Sequence, residues 1–174
     1  GDMKNCILRF SSGLVDLLVD EEFEFVVGHE AGHFLLGHGL SRGEADDQSL
    51  EFSMQQRAQE ISVDRIGLIA CGSLDVAIRA MMKTVSGLSE KHLRYDVGGF
   101  LRQLDASSKG GRETTSTHPS FLIRCRALLW FSLIEAFNRG DNNFEKADIS
   151  RIDKFIERDM AKFVDGEARR AISY

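Results

Sequence analysis

The sequence lacks the cysteine patterns, charge blocks and long apolar runs by which several large classes of protein are recognised. Its cysteines, Cys6, Cys71 and Cys125, are odd in number, far apart and outside any Cys-x-x-Cys spacing, which argues against a disulfide framework or a thiolate metal site. The 22 basic and 27 acidic side chains form no block of like charge, so neither nucleic acid nor an anionic membrane surface is an expected partner. No apolar run approaches the roughly 18 residues that a membrane-spanning helix needs.

The start of the chain leaves the cellular compartment open. Residue 1 is Gly instead of an initiator Met, and no charged segment followed by an apolar one opens the sequence. A signal or a membrane anchor could therefore precede it. As given, the sequence predicts a soluble protein that is cytoplasmic, or periplasmic and membrane-associated, and no feature specifies an oligomeric state.

Strand signals are also scarce. Residues 5–10 form a short apolar run closed by Ser11, Ser12 and Gly13, which predicts one short strand near the N-terminus and then a turn. A length of 174 residues with 43% hydrophobic residues predicts one compact domain over 1–174. The expected fold class is mainly α, an α+β arrangement with a minimal sheet.

Helical patterns cover most of the remaining sequence. Asp20 as N-cap and the acidic residues after it predict a helix to about Gly39 that is apolar on nearly every face. Further helices are expected over about 48–71, 74–85, 89–105 and 119–138, with one or two amphipathic helices in 141–174. The polar segment 106–117 is expected to be a mobile loop.

The helix that begins near Asp20 carries the residue types of a metal site. Residues 29–33 read His-Glu-Ala-Gly-His, and the i, i+4 spacing places His29 and His33 on one helix face, one turn apart. Glu30 lies roughly 100° around the helix from His29, where it can contact a water at the metal without binding the metal. The pattern predicts zinc on both histidines, with Glu30 as general base.

The alternative is that the two histidines share a turn by chance. Against it, buried imidazole and carboxylate groups without partners cost on the order of several kcal/mol, and a metal ion would remove that cost. Gly28, Gly32 and Gly37 weaken the helix, so they suggest the close approach of another backbone or of a substrate. The apolar residues that predict burial of the helix are Phe23, Phe25, Val26, Val27, Phe34, Leu35 and Leu36.

The subclasses of zinc site differ in the identity and position of the third protein ligand. Leu36 and Gly39 stand where the metzincin pattern requires Gly and His, so that subclass is excluded. His38 follows His33 by five residues, and in a continuing helix it would lie about 140° away from the metal face. We therefore expect His38 to be a structural histidine or an outer partner of a ligand.

Glu60 on the next helix is the best remaining candidate for the third ligand. Glu60 and Asp64 are i, i+4 neighbours, and two such carboxylates repel each other unless a cation is near. Asp64 would then accept the free ring N–H of a ligating histidine. In the alternative interpretation, Arg57 and Arg65 neutralise two solvated acids.

These motifs together resemble the HtpX-like gluzincins, the metallopeptidase family that also includes the CaaX prenyl proteases. The resemblance spans about residues 7–128. It implies a zincin-like metallopeptidase domain with a metal helix and a glutamate helix, and one zinc ion per chain on His29, His33 and Glu60. Four segments carry it: residues 11–18, residues 27–33 with His38, residues 60–67, and residues 116–119 with Arg124.

The resemblance also implies roles for the third motif, Ser-Thr-His-Pro. His118 would reach the metal from its loop, either to stabilise the developing oxyanion or to occupy the open zinc position in a resting state. Arg124 would have a supporting role. The alternative for His118 and Pro119 is a helix start whose pre-proline residue is held extended. Because spanning helices and most of the expected sheet are missing, the chain is either a minimal soluble member or an excised domain.

The predicted function is that of a zinc-dependent endopeptidase acting on protein or peptide substrates. Two alternatives remain open. The chain could bind zinc but act as a catalytically restrained interaction module, with the site closed by His118, or it could be a helical interaction domain without metal. The ImmA-like regulatory peptidases use a similar metal helix, but the segments around Glu60 and His118 fit them less well.

Overall fold

A computed structural model describes residues 6–38, 50–93, 96, 119–138, 140 and 144–158. These residues are mainly helical, which confirms the predicted fold class. In chain order the helices are α1 (Ser12–Leu17), α2 (Asp20–Leu35), α3 (Leu50–Cys71), α4 (Leu74–Ser86), α5 (Pro119–Ser132), α6 (Glu135–Asn138) and α7 (146–158). Over these ranges, none of the helices has the length and apolar character needed to cross a bilayer.

The prediction of a strand at residues 5–10 is wrong for residues 6–10, because these form an irregular segment. A strand needs a neighbour to pair its backbone groups, and the described ranges contain no strand. The predicted turn after it is instead the short helix α1. The hydroxyl of Ser11 accepts a hydrogen bond from the backbone N–H of Leu14 at 3.2 Å, as a helix N-cap does.

Glu22 determines where α2 begins and what the start of that helix contacts. The backbone N–H of Val19 donates to its carboxylate at 3.0 Å, so Val19 is the N-cap and Asp20 is the first helical residue. Lys83 Nζ, near the end of α4, donates to the same carboxylate oxygen at 2.7 Å. Both side chains are only 2% exposed. A buried ion pair that the sequence did not predict thus joins α2 to α4.

The backbones of α2 and α3 come into close contact through glycines. A Cβ on Gly28 would lie 2.7 Å from the Cβ of Ala70 and 3.0 Å from the Cα of Gly67. A Cβ on Gly32 would lie 3.1 Å from the side chain of Val63. The glycines of α2 therefore accommodate a neighbouring helix, as expected for Gly28 and Gly32.

The predicted burial of α2 is correct for only part of the helix. Phe25 and Val26 belong to the core, whereas Phe34, Leu35 and Leu36 are 44%, 69% and 49% exposed. A helix buries the face that meets its neighbours, and α3 covers the face with Gly28 and Gly32. The last turn of α2 lies past that contact. The core around α2 to α4 also includes Ile61, Val63, Leu68, Ala77, Ile78, Ala80 and Met81.

The chain divides into two compact units, residues 1–97 and 98–174; the single-domain assignment stays a prediction. In the second unit, Trp130 of α5 stacks on Phe155 of α7 with ring centroids 5.0 Å apart. The helix expected over 119–138 is interrupted between Ser132 and Glu135. Of the helix expected over 89–105, residues 90–92 form a turn, and most of the rest lies outside the described residues, as does the predicted loop 106–117.

Candidate metal centre

The side chains of His29, His33 and Glu60 meet where α2 packs against α3. His29 Nε2 and His33 Nε2 are 3.3 Å apart. The carboxylate oxygens of Glu60 lie 3.6 Å from His29 Nε2 and 3.5 Å from His33 Nε2. Within the described ranges, this is the one group of His, Cys, Asp and Glu side chains arranged so that it could hold a metal ion.

The distances between these donor atoms fit a small tetrahedral cation. Zinc bonds of about 2.0 to 2.2 Å place neighbouring ligand atoms about 3.3 to 3.6 Å apart at the corners of a tetrahedron. The separation of 3.3 Å between the two Nε2 atoms lies in that range, and each Nε2 atom has one oxygen of Glu60 in the same range, Oε2 at 3.6 Å from His29 and Oε1 at 3.5 Å from His33. The geometry therefore fits zinc on the three residues that the sequence predicted, although the ion itself remains a prediction.

Asp64 contacts the ring of His29 at Nδ1, while Nε2 of the same ring lies near His33 and Glu60. His29 Nδ1–H donates to Asp64 Oδ1 at 2.9 Å, because an ionised carboxylate can only accept. A neutral His29 then has a lone pair on Nε2, the atom that faces Glu60 and His33. Asp64 is 1% exposed, which contradicts its interpretation as a solvated acid.

The surroundings of His33 favour its neutral form. Burial is the main cause that lowers the pKa of His33, and the neighbouring ring of His29 lowers it further, against the opposing charges of Glu60 and Glu30. A neutral imidazole is the form that binds a metal. The pKa shift therefore acts in the direction that zinc binding needs.

Glu30 is exposed on α2, directly after His29. Its negative charge tends to raise the pKa of His33, so the carboxylate lies within electrostatic range of the candidate ligands. Because it is exposed, this carboxylate is accessible to water. The role of Glu30 as general base stays a prediction.

The prediction that α2 continues to Gly39 is wrong, and this changes the position of His38. The helix ends at Leu35, so the rotation expected for a continuing helix does not apply. The Nδ1 atoms of His38 and His33 lie 3.1 Å apart. His38 is therefore an outer neighbour of a candidate ligand, which is one of the two roles expected for it.

The third predicted motif is described only in part. His118 lies outside the described residues. Arg124 is half-buried on α5, in the second compact unit, and its supporting role stays a prediction.

Sequence reasoning missed the glycine that brings the two helices together. A Cβ on Gly67 would lie 2.7 Å from the carbonyl oxygen of Phe25. Gly67 follows Glu60 by seven residues, which is about two turns and the same face of α3. That spacing was the available signal, since a helical glycine on the face of a candidate ligand indicates close packing.

Comparisons with known proteins support a metalloprotease over the N-terminal part of the chain. Residues 3–52 match the model of Peptidase family M48, which confirms the family resemblance over that stretch. The stretch includes the His-Glu-Ala-Gly-His motif but ends before Glu60.

Two proteins of Escherichia coli (strain K12) are similar over short stretches. Metalloprotease YcaL is 49% identical over 43 residues, which are 25% of this chain and 17% of YcaL. Metalloprotease LoiP is 53% identical over 36 residues, which are 21% of this chain and 14% of LoiP. The match thus spans less than a fifth of either relative. No solved structure matches the chain.

Proposed function

We propose that this chain is a zinc-dependent endopeptidase that hydrolyses peptide bonds in protein substrates. The observation that carries the proposal is the meeting of two imidazole Nε2 atoms and a carboxylate at 3.3 to 3.6 Å. Further support comes from the match of residues 3–52 to Peptidase family M48 and from the two similar metalloproteases.

His29, His33 and Glu60 would hold the zinc ion. Three protein ligands would leave room for a water molecule at the metal, as in catalytic zinc sites. When bound there, zinc would lower the pKa of a water molecule toward about 7 and polarise the scissile carbonyl.

Glu30 would act as the general base and then as the general acid. It follows a ligand directly in sequence and is exposed on the helix surface, so it can accept a proton from the attacking water and later deliver it to the leaving amine. Asp64 would keep the proton of His29 on Nδ1 through their 2.9 Å hydrogen bond, which leaves Nε2 available to the metal.

By the family resemblance, His118 would either stabilise the oxyanion or act as a further metal ligand at rest. The two roles predict opposite effects of His118→Ala. Loss of an oxyanion donor lowers kcat by roughly 10²- to 10³-fold, whereas removal of a fourth ligand raises the activity. A rise would favour the alternative of a zinc-binding module that is held closed.

The decisive experiment compares Glu30→Gln with Glu24→Gln, a matched change at another exposed glutamate of α2. We expect wild-type protein purified without added zinc to contain one zinc per chain and to cleave an unfolded protein. Glu30→Gln should retain the metal and lose about 10²- to 10⁴-fold in kcat, while Glu24→Gln stays active. The proposal is refuted if Glu30→Gln retains both metal and full activity, or if the wild type binds no metal.

A further inference from the structure

The C-terminal end of α2 turns the chain so that His38 returns to the ring of His33. Gly37 has a left-handed φ of 71°. The N–H of Gly37 donates to the carbonyl of Phe34 at 3.1 Å, and the N–H of His38 donates to the carbonyl of His33 at 2.9 Å. These two bonds form a Schellman motif, in which the residue after the left-handed glycine lies back over the last turn.

The contact between the two rings restricts where their protons are. Two Nδ1 atoms at 3.1 Å form a hydrogen bond only if one carries a proton and the other a lone pair. The Nε2 atom of His33 faces the other donors of the centre, so it must be without a proton to bind a metal. The single proton of a neutral His33 is then on Nδ1 and is donated to Nδ1 of His38, whose own proton is on Nε2.

We infer that His38 is a positioning residue that fixes the tautomer and the direction of His33 for metal binding. This inference rests on the proposed function. Asp64 has the equivalent task for His29, so each histidine ligand has its own outer partner. The two partners differ chemically, because His29 is supported by a buried carboxylate and His33 by a half-buried imidazole ring.

Gly37 also determines the position of His38. Only a residue that tolerates positive φ easily can reverse the chain at this point, and without the reversal His38 would point elsewhere. The positions of His38 and Gly37 are therefore linked. Substitutions at the two residues should weaken zinc binding by the same route, through a loss of control over His33.

Zinc affinity, measured by competition with a chromogenic chelator, tests the inference without any activity assay. Losing the outer partner of a ligating histidine weakens metal affinity by roughly 10- to 100-fold, and we expect this for His38→Ala. His38→Asn should bind zinc almost as well as the wild type, because Asn Oδ1 can occupy the place of the histidine Nδ1 and accept the same proton. His92→Ala, a loss of another histidine in the same unit, should have no effect.

Gly87→Ala is a matched control for Gly37→Ala. Gly87 ends α4 with a φ of 67°, and a Cβ there meets nothing within 4 Å. Gly37→Ala and Gly87→Ala thus introduce similar backbone strain, but only Gly37→Ala should weaken zinc binding. Equal zinc affinities of these two variants would contradict the role of the turn.

Nuclear magnetic resonance of the ring nitrogens in the zinc-loaded wild type distinguishes a positioning role of His38 from a purely structural one. We expect protonated Nδ1 and metal-bound Nε2 for His33, and protonated Nε2 for His38. Zinc bound through Nδ1 of His33, or wild-type zinc affinity in His38→Ala, would overturn the inference and leave the proposed function intact. A wild type that binds no zinc would overturn both.

Discussion

Gly67→Ala tests whether the spacing of α2 and α3 sets the geometry of the metal centre. A Cβ on Gly67 would lie 2.7 Å from the carbonyl oxygen of Phe25 and 2.9 Å from two of its ring carbons. Cβ contacts below 3.0 Å essentially never occur and ordinary contacts begin at 3.4 Å, so a contact of 2.7 Å requires the two helices to separate by about 0.3 to 0.7 Å. Because the obstacle includes a backbone oxygen, a change of rotamer cannot remove it.

The same separation would break the centre. If α3 moves as a rigid helix directly away from α2, the distances from Glu60 to the two histidines, now 3.5 and 3.6 Å, grow to about 3.8 to 4.2 Å and 3.9 to 4.3 Å. Metal sites tolerate departures of only about 0.2 Å in ligand distance. Glu60 would therefore leave the metal, and we expect zinc affinity to fall by at least tenfold, which corresponds to about 1.4 kcal/mol.

The fold itself should survive this substitution. Overpacking costs about 1 to 3 kcal/mol, and replacing a helical glycine by alanine returns roughly 0.5 to 1 kcal/mol. The assay is a zinc titration together with urea unfolding of the metal-free protein, and Gly13→Ala is the control, since a Cβ on that glycine of α1 meets nothing within 4 Å. Wild-type zinc affinity in Gly67→Ala would refute the reasoning, because the flexible side chain of Glu60 would then have absorbed the shift.

Two further predictions concern ionisable groups that are buried or half-buried. Lys83→Met leaves the carboxylate of Glu22 buried without its cation and should lower the free energy of unfolding in urea by about 3 to 5 kcal/mol. Adding Glu22→Gln should recover part of that loss, and equal losses in the single and double variants would contradict this explanation. Burial raises the pKa of the Cys71 thiol, so its thiolate is disfavoured near neutral pH. Iodoacetamide should alkylate the exposed Cys6 first and Cys71 faster only as the pH rises, whereas equal rates at neutral pH would argue against the shift.

The sequence by itself was sufficient for the features that local helical geometry determines. The i, i+4 spacing of His29 and His33 fixes their common face wherever the helix packs, because the period of a helix is independent of its neighbours. The spacing of Glu60 and Asp64 placed both carboxylates on one helix face for the same reason, and both lie beside the ring of His29. The bounds of the predicted helices over 74–85 and 48–71 also lie close to those of α4 and α3.

The tertiary structure decided what depends on residues far apart in the chain. The buried pair of Glu22 and Lys83 joins positions 61 residues apart, and no local pattern specifies such a partner. The predicted strand is absent from residues 6–10, and the part of the chain that the structure describes contains no segment with which a strand could pair. The place of His38 depended on where α2 ends, and the backbone of Gly37 determines that turn. The distance between Glu60 and the two histidines depends on how closely α2 and α3 pack, because the spacing of two helices is set by the side chains that meet between them.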